Sequence, residues 1–372
     1  AGRRGPRAAL GGCGGGSIPP VAPRLEEEGV AFPPLRLVRA GRFEEAAVRA
    51  LLAAGRYPAR NPDDNVADLE AKVAANRWGA RTLRALADEL GVGLVAVTMA
   101  QLQDATAAAV RRQIARLPAG EHAFADRLDD GTPVVVTIRI RAERMEIDFA
   151  GTGAAQPGNL NAPRAVVSAA VIYVLRALVA ERIPLNGGCL RPVVIRIPPG
   201  SLLDPPRGAA VVGGNVETSQ RIVDVLLGAL GLAAASQGTM NNVAFGDERF
   251  GYYETIGGGA GAGPDFAGAS GVHVHMTNTR ITDAEVLETR YPVRLVRFAL
   301  RTGSGGAGCF PGGAGIVRCY EMRAPLSVSL LGERRSVAPW GYAGGRPRAP
   351  GRNAPSRRGG TGVAVPAPPP RD

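Results

Sequence analysis

The sequence predicts an α+β fold: an N-terminal helical segment followed by a β-rich body with inserted helices and glycine-rich loops. Two observations predict it. Up to about residue 118, apolar residues recur at the i, i+3, i+4 spacing of amphipathic helices. Beyond that point the period changes to two, as in strands, and helices interrupt a β-rich stretch. This order favours α+β over a doubly wound sheet.

The helical segment is expected to span residues 25–118 and to form a helical hairpin or bundle. Three stretches carry the helical spacing of apolar residues. They are, in order, RFEEAAVRALLAAG, NVADLEAKVAANRWGARTLRALADELG and VAVTMAQLQDATAAAVRRQIARL.

The β-rich body is expected to span residues 119–345 and to open with a hairpin. Val134, Val136, Ile138 and Ile140 alternate with polar residues, RAER makes a turn, and the alternation resumes after it. We then expect helices at about 163–181 and 216–234, and short strands at about 192–197, 243–255, 271–276, 291–301 and 315–331.

Residues 1–24 carry a net charge of +4 and residues 334–372 carry +7, so the two ends account for the whole net charge of +11. Residues 1–24 and 346–372 are rich in Gly, Pro and Arg and poor in apolar residues, which predicts disordered tails. The middle carries no basic block and no aromatic-basic interleaving, so nucleic-acid recognition is not expected.

Cysteine usage and hydropathy indicate a cytoplasmic protein outside the membrane. The four cysteines form no CxxC pair and are too few for a disulfide framework, so reduced thiols are expected. The longest helix-like apolar run, from Ala165 to Leu175, is well short of the ~18 residues that a membrane span needs.

Glycine-rich segments suggest nucleotide binding, but their context argues against it. Gly303, Gly305 and Gly308 match GxGxxG, yet the residues that follow predict a strand instead of the helix that holds a pyrophosphate. A P-loop needs a lysine, and Lys72, the only one, lies in a predicted helix. The segments TIGGGAGAG and GSGGAGCFPGGAG either bind an anion through main-chain N–H groups or serve turns and close packing.

The segment GNVETSQRIVDVLLGAL is dense in polar residues where a helix is expected to begin. Glu217, Arg221 and Asp224 have the i, i+4, i+7 spacing of a solvated, salt-bridged stripe. The alternative is a helix start that faces a pocket, because the segment has more hydrogen-bonding groups than a cap requires. These further groups are Asn215, Thr218, Ser219 and Gln220.

Two of the three histidines, His273 and His275, alternate with apolar residues in GVHVHMTN. On a strand both imidazoles would project from one face, which permits joint metal ligation with a third ligand such as Glu254 or Asp265. A catalytic or substrate contact and hydrogen-bonded structural histidines remain the alternatives.

The residues after this segment predict the start of a further helix. Thr282 and Glu285 have the T-x-x-E spacing of a capping box, which would employ the Glu285 carboxylate in the cap.

Eight co-linear motifs between about residues 25 and 345 resemble the hydantoinase B/oxoprolinase family. They are IDFAGTGAAQPGNLNAP, AERIPLNGGCLRPVVIRIPPGSLLDP, VVGGNVETSQRIVDVLLGAL, SQGTMNNVAFG, YYETIGGGAGAG, HMTNTRITDAEVLETRYPVR, LRTGSGGAGCFPGGAGIVR and ERRSVAPWGYAGG.

The resemblance implies a subunit of an ATP-dependent cyclic-amide hydrolase of the 5-oxoprolinase or N-methylhydantoinase type. It implies that a hydantoinase A-like partner binds ATP and activates the lactam or hydantoin ring. A related ATP-dependent ketone carboxylase is the alternative within enzymes. The family usually begins with a further His- and Asp-rich region, a plausible metal site, which this sequence does not contain. A truncated, inactive chain with only a partner-binding role is therefore a third possibility.

The same resemblance supplies the candidate site residues. The candidates for catalysis are His273, His275, Glu254 and Glu217, and those for substrate binding are Asn215, Ser219, Gln220, Asn278 and Arg280. His273 and His275 are also the candidate ligands of a divalent metal of unknown identity.

Overall fold

The computed structural model describes residues 19–59, 61–179 and 181–355. Its helices and small sheets confirm the α+β class. The segment 1–18 and the segment 356–372, which hold most of the expected tails, lie outside the described residues.

The helical segment contains three helices, as predicted. A 3₁₀ turn at Leu25–Glu27 and a ribbon of β1 (Val38–Arg39) and β2 (Arg42–Phe43) precede α1 (Glu45–Ala53), α2 (Pro62–Leu90) and α3 (Val92–Ile114). The side chain of Asn61 caps α2 by accepting a hydrogen bond from the Asp64 N–H, and Pro62 occupies the first turn. Gly91, at φ +84°, separates α2 from α3.

Most residues of the α2–α3 arm, defined as residues 62–105, are exposed. The chain bends by 115° between the two helices. Among the described residues, no single helix is long and apolar enough to cross a membrane, although this bent pair satisfies the length and composition criteria when taken together.

A four-stranded sheet forms the centre of the main core. It has the order β3 (Gly120–Arg127), β4 (Pro133–Arg141), β5 (Arg144–Asp148) and β6 (Val193–Arg196), with β5 and β6 parallel and the other pairs antiparallel. Every second residue of β4 from Val134 to Ile140 is buried, which confirms the predicted hairpin. Between β5 and β6 lie α4 (Arg164–Leu178) and a 3₁₀ turn at Gly187–Leu190.

Helix α5 (Ser219–Ala229) packs against β3, β4 and α4 and is almost entirely buried. It follows one π-helical turn, Gly214–Thr218, and ends five residues before the predicted boundary at 234. The turn fits because Gly214 has no side chain: a Cβ there would collide with the carbonyl group of Asn161.

Small antiparallel sheets make up the second half of the body. One sheet has the order β13 (Ser327–Leu331), β7 (Asn242–Gly246) and β8 (Gly251–Thr255). The short strands β9 (Gly258–Gly259) and β10 (Ser270–Val272) pair with each other, as do β11 (Val293–Arg301) and β12 (Gly315–Met322).

Helix α6 (Ala284–Arg290) lies between β10 and β11, and the predicted capping box at its start is wrong. Asp283 is the N-cap residue, and no side chain caps the helix by a hydrogen bond. The carbonyl oxygen of Thr282 instead accepts a hydrogen bond from Arg318.

The structure also differs from the expected tail boundaries at 24 and 346. Ala22 is fully buried, and Arg24 forms a bridge with Ala209. At the other end, Ala349 donates its N–H to Ser304 and Gly351 to Arg334, so packed chain continues past residue 345. Tertiary hydrogen bonds order a composition that by itself resembles disorder.

Candidate functional site

Five charged side chains form a buried ionic cluster where β3, α5 and the residues after β13 meet. Its hydrogen-bonded contacts range from 2.7 to 3.4 Å. The members are Asp126 of β3, Arg221 and Asp224 of α5, and Glu333 and Arg334 after β13.

The cluster corrects the hypothesis of a solvated stripe on α5. Glu217, Arg221 and Asp224 are at most 1% exposed. Burial alone would raise the pKa of Asp224, but the hydrogen bond with His275 and the charges of Arg334 and Arg221 lower it to about 2. Asp224 is therefore ionised at neutral pH and ties α5 to the residues after β13.

Glu217 lies in the π-helical turn and is held in a protonated state. Its Oε1 accepts hydrogen bonds from Asn242 Nδ2 at 2.6 Å and from the Met240 N–H at 3.2 Å. Complete burial raises its pKa to about 8, against the lowering effect of the Thr239 hydroxyl. At neutral pH this carboxyl group is a proton donor rather than a base.

His275 is bound to α5. Its Nε2 lies 3.0 Å from Asp224 Oδ1, and its ring meets the Tyr173 ring edge-on at 5.8 Å between centroids. Gln220 supports the same loop through hydrogen bonds to Thr277 Oγ1 and the Val274 carbonyl.

The prediction of one strand face shared by both histidines is wrong, because β10 ends at Val272. His275 has a left-handed backbone with φ +53°, so the period of two is lost between the two rings. Two side chains of α5 hold this loop, because Gln220 bonds the Val274 carbonyl and Asp224 bonds His275.

His273 has a different environment from His275. Its Nδ1 is buried and has no hydrogen-bond partner among the described residues. Burial lowers the pKa of His273, while the charge of Glu254 acts in the opposite direction. The ring is therefore neutral at physiological pH and retains an unused nitrogen.

Glu254 of β8 is the centre of a second cluster of buried polar side chains. Arg318 donates from Nε to Oε1 at 2.7 Å and from Nη2 to Oε2 at 3.2 Å, and Tyr252 donates to Oε2 at 2.8 Å. Tyr320 also donates to Oε1. These four bonds use the acceptor positions of the carboxylate.

The other candidates divide into buried and exposed residues. Ser219 donates its hydroxyl to the Asn215 carbonyl at 2.7 Å and is buried, and Asn215 is half-buried. Asn278 and Arg280 are exposed.

The candidate metal ligands do not fit a metal site. In the chain between 19 and 355, the described residues include no group of three or more His, Cys, Asp or Glu side chains arranged to hold a metal ion. Asp224 holds His275, and Arg318 and two tyrosines occupy Glu254. Asp265 is exposed. We derive no step through a metal at these residues.

Three glycine-rich segments surround a cavity of about 470 Å³, here called the glycine-rich cavity. They are parts of the 255–263 and 303–315 segments that the sequence suggested for anion binding, together with residues 340–348. Strand β12 follows the 303–315 segment, which confirms that its GxGxxG match does not precede a helix. The side chains at its wall include Cys309, Phe310, Trp340, Tyr342, Arg346 and Arg348.

The ionic cluster supports two walls of this cavity. Trp340 donates its indole N–H to Asp126 Oδ2 at 3.2 Å. Ser236 donates its N–H to Asp224 Oδ1 at 3.1 Å and accepts a hydrogen bond from the Gly261 N–H at 3.0 Å. The buried charges thus fix the positions of the two cavity segments next to them.

Four residues of these sites were not predicted from the sequence: Asp126, Arg334, Trp340 and Arg348. Trp340 and Arg334 lie in the quoted ERRSVAPWGYAGG motif, so that motif was a usable signal. Arg348 had no such signal, because the Pro- and Arg-rich sequence around it predicted disorder. Its burial depends on contact with Gly259, 89 positions earlier.

The family model described as hydantoinase B/oxoprolinase matches residues 2–367. The chain is 45% identical over 351 residues to a 5-oxoprolinase of Dictyostelium discoideum, an alignment that covers 92% of this chain and 27% of that enzyme. This chain belongs to the hydantoinase B/oxoprolinase family.

Two solved structures share the fold. An ATP-dependent caprolactamase from Pseudomonas jessenii superposes with a TM-score of 0.71 at 24% identity, covering 84% of this chain and 57% of that chain. A nucleotide-free acetone carboxylase superposes with a TM-score of 0.78 at 15% identity, covering 93% of this chain and 50% of that chain. The chain therefore spans little more than half of each.

Proposed function

We propose that this chain is part of an ATP-dependent hydrolase of cyclic amides, of the 5-oxoprolinase or N-methylhydantoinase type. The 45% identity to a 5-oxoprolinase over 92% of this chain carries the proposal. The fold shared with an ATP-dependent caprolactamase also supports it. The ketone carboxylase alternative has only the fold of acetone carboxylase in its favour, at 15% identity.

The chemistry requires two functions. A lactam or hydantoin amide is resonance-stabilised, so transfer of a phosphoryl group to its oxygen makes the ring carbon reactive towards water. We assign ATP binding and activation to a hydantoinase A-like partner, as the family resemblance implies, and the lack of a P-loop lysine in this sequence agrees with that assignment. We assign the hydrolytic half to this chain. A location in the cytoplasm, where ATP is available, follows from this assignment.

Among the candidates, His273 is best suited to act as a base, because burial lowers its pKa and keeps the ring neutral, and its Nδ1 has no partner among the described residues. His275 is a positioning residue, since Asp224 holds it. Glu217, protonated at neutral pH, is the candidate proton donor. Glu254 acts through the charge it places near His273.

For substrate contact, Asn278 and Arg280 are free to reach a ligand because they are exposed. Ser219 and Gln220 contribute indirectly: Ser219 bonds Asn215 at the start of α5, and Gln220 holds the histidine loop.

We place the hydantoinase A-like partner on the α2–α3 arm. Trp78, Val92 and Leu94 on the arm are each more than half exposed, although apolar side chains of this size usually pack. A large apolar surface on an extended helical pair is typical of an interface with another protein.

The proposal is tested by combining the chain with a hydantoinase A-like subunit, ATP and 5-oxoproline, and following glutamate and inorganic phosphate. We expect both products only when both chains and ATP are present. A parallel reaction with acetone, bicarbonate and ATP that gives acetoacetate would instead support the carboxylase. If the mixed chains form a complex but give none of these products, the chain has only a partner-binding role.

A further inference from the structure

Arg348 is a buried cation that forms no ion pair with a described carboxylate, although the charge of Asp224 acts on it from a greater distance. It is 7% exposed and has no carboxylate within ion-pair distance among residues 19–355, as far as they are described. The other two arginines buried to this degree, Arg221 and Arg334, both pair with carboxylates of the ionic cluster. An unpaired charge away from water is costly, so a bound anion would stabilise Arg348.

The hydrogen bonds of the Arg348 side chain leave most of its donors unused. Nη1 donates to the Gly259 carbonyl oxygen. Nε is buried without a partner, and Nη2 makes no hydrogen bond to a described residue. A guanidinium has five N–H donors arranged to bind two oxygens of a carboxylate or phosphate at once.

Glycines create the space in which this guanidinium lies. A Cβ at Gly259 would collide with Nη2, and Cβ atoms at Gly306 and Gly312 would lie 3.3 and 3.5 Å from Cγ and Cδ of Arg348. Larger residues at Gly259 would thus displace the charged group from the wall of the glycine-rich cavity.

The chemistry of the cavity favours a negative ligand. Among the described residues that line the wall, Arg346 and Arg348 are the charged ones. The main-chain N–H groups of Gly306, Ala307 and Gly308, also at the wall, donate no hydrogen bond within the described residues. Glycine-rich backbone with free N–H groups is a common arrangement for binding anions.

We propose that the glycine-rich cavity is a binding site for a small oxyanion, with Arg348 as its principal ligand. Carboxylate and phosphate share the required chemistry: a negative charge and two or more oxygens that accept from one guanidinium. The volume of about 470 Å³ admits either a free phosphate or a small ring acid. The choice of 5-oxoproline as a probe rests on the proposed function. Oxyanion binding by the cavity does not, because it is measured without turnover.

The protein contains a suitable reporter. It has two tryptophans: Trp340 lies at the cavity wall and Trp78 on the exposed arm. In a Trp78→Phe background, fluorescence reports on Trp340 alone. This protein is titrated with inorganic phosphate, with 5-oxoproline and, at equal ionic strength, with chloride.

We expect phosphate or 5-oxoproline to give a saturable change with a Kd of about 1 mM or below, and chloride to give none. Saturation by phosphate alone identifies free phosphate as the source of the oxyanion, and saturation by 5-oxoproline alone identifies the ring carboxylate. Competition between the two identifies shared recognition. No saturation by either oxyanion overturns the proposal, whether or not the chain supports lactam hydrolysis.

Arg348→Met should weaken oxyanion binding at least about tenfold, and Arg348→Lys, which keeps the charge but loses the fork, should bind with intermediate affinity. Arg294→Met, at an exposed arginine, is the matched control. Circular dichroism verifies the fold of each variant. Wild-type affinity in folded Arg348→Met contradicts the proposal.

A second variant tests the cavity without removing Arg348. A Cβ at Gly308 would meet its nearest atoms at 3.6 and 3.7 Å, which are ordinary contact distances. Gly308→Leu should therefore fold and reduce oxyanion affinity by occupying the cavity. Gly79→Leu, on α2 with no atom within 4 Å of the added Cβ, is its control. Unchanged affinity in Gly308→Leu would place the anion elsewhere.

Discussion

The Nε2 atom of His275 lies 3.0 Å from Oδ1 of Asp224 and thereby joins the loop after β10 to the middle of α5. The other carboxylate oxygen, Oδ2, accepts a hydrogen bond from Arg334 at 2.8 Å. One buried carboxylate therefore connects three segments that are distant in sequence. The same residue accepts the Ser236 N–H, so it also fixes a segment that lines the glycine-rich cavity.

Replacing Asp224 by Asn should reduce the free energy of unfolding by about 3 to 5 kcal/mol, because Arg334 would lose one of its buried counter-ions. The folded-state pKa of Asp224, about 2, is below the ordinary aspartate value of 3.8. Its ionised form therefore stabilises the fold above pH 3.8, and that contribution is lost as the pH falls towards 2. Urea unfolding at pH 7 and pH 3 measures both effects.

Asp265→Asn, at an exposed carboxylate, is the control for this variant and should leave stability unchanged. A loss in Asp224→Asn that is the same at pH 7 and pH 3 would mean that the charge of Asp224 does not stabilise the fold.

Glu217→Gln should have the opposite pH dependence. The folded-state pKa of Glu217 is raised to about 8 from 4.5, so the folded protein holds a proton that the unfolded chain releases. The contribution of Glu217 is complete below pH 4.5 and falls by up to about 1.4 kcal/mol per pH unit as the pH rises to 8. Gln cannot ionise, so the variant should gain stability relative to wild type over this range.

The measurement is chemical unfolding of Glu217→Gln and wild type at pH 5, 7 and 8.5. Glu248→Gln, at an exposed glutamate, controls for the change of residue type. A stability difference that does not change with pH would show that Glu217 is ionised in the folded protein.

The sequence was most informative about elements with strong local patterns. Helices α1 and α4 and the β4–β5 hairpin follow apolar periodicity closely, because each buries one face or alternate residues. The strand expected at 271–276 was shorter, since Gln220 donates to the Val274 carbonyl and His275 bonds the Asp224 carboxylate, which holds its second half as a loop. Contacts across 50 or more positions are not visible in local periodicity.

The candidate site shows the same limit. Glu217, Arg221 and Asp224 have the spacing of a surface stripe, yet their partners come from β3 and from residues after β13, so the stripe is buried. The glycine-rich segments were noted for anion binding, but only the fold brings the 255–263, 303–315 and 340–348 segments together. Composition also placed Arg348 in a tail, because nothing local indicates a buried arginine.

Truncation after residue 345 should destabilise the protein. The removed residues include Pro350, whose carbonyl accepts a hydrogen bond from Arg301 at 2.7 Å, and Gly351, whose N–H donates to Arg334 at 2.8 Å. We expect a loss of several kcal/mol in urea unfolding, at about 1 kcal/mol for each hydrogen bond and more for lost packing. Arg352→Ala, an exposed change in the same segment, should be neutral. If the truncated chain were as stable as the full chain, residues from 346 onwards would not contribute to the fold, as their composition predicted.

A negative charge introduced on the α2–α3 arm should weaken association of this chain with a hydantoinase A-like subunit. Val92 is 74% exposed in this chain, so Val92→Asp costs the isolated fold little but would bury a charge in an apolar interface. Analytical ultracentrifugation of the mixed chains should show at least about a tenfold higher Kd. Val296→Asp, at an exposed valine of β11 outside the arm, is the control. Equal effects of the two variants would remove the arm from the interface.

His273→Ala should lower turnover of the assembled enzyme by about 100-fold or more, the usual contribution of a general base. The unfolding free energy should change little, because His273 makes no hydrogen bond through its buried Nδ1. His275→Ala should instead lower stability as well, since it removes a partner of Asp224. The third histidine provides the control: His122 is on β3, bonds only the Pro118 carbonyl at 2.8 Å, and His122→Ala should keep full turnover.

The pH profile distinguishes a base from a structural residue. The lowered pKa of His273 predicts an acidic limb below pH 6.5 in wild type that disappears in the residual activity of His273→Ala. Wild-type turnover in His273→Ala, or an unchanged acidic limb, would assign the proton transfer to another group.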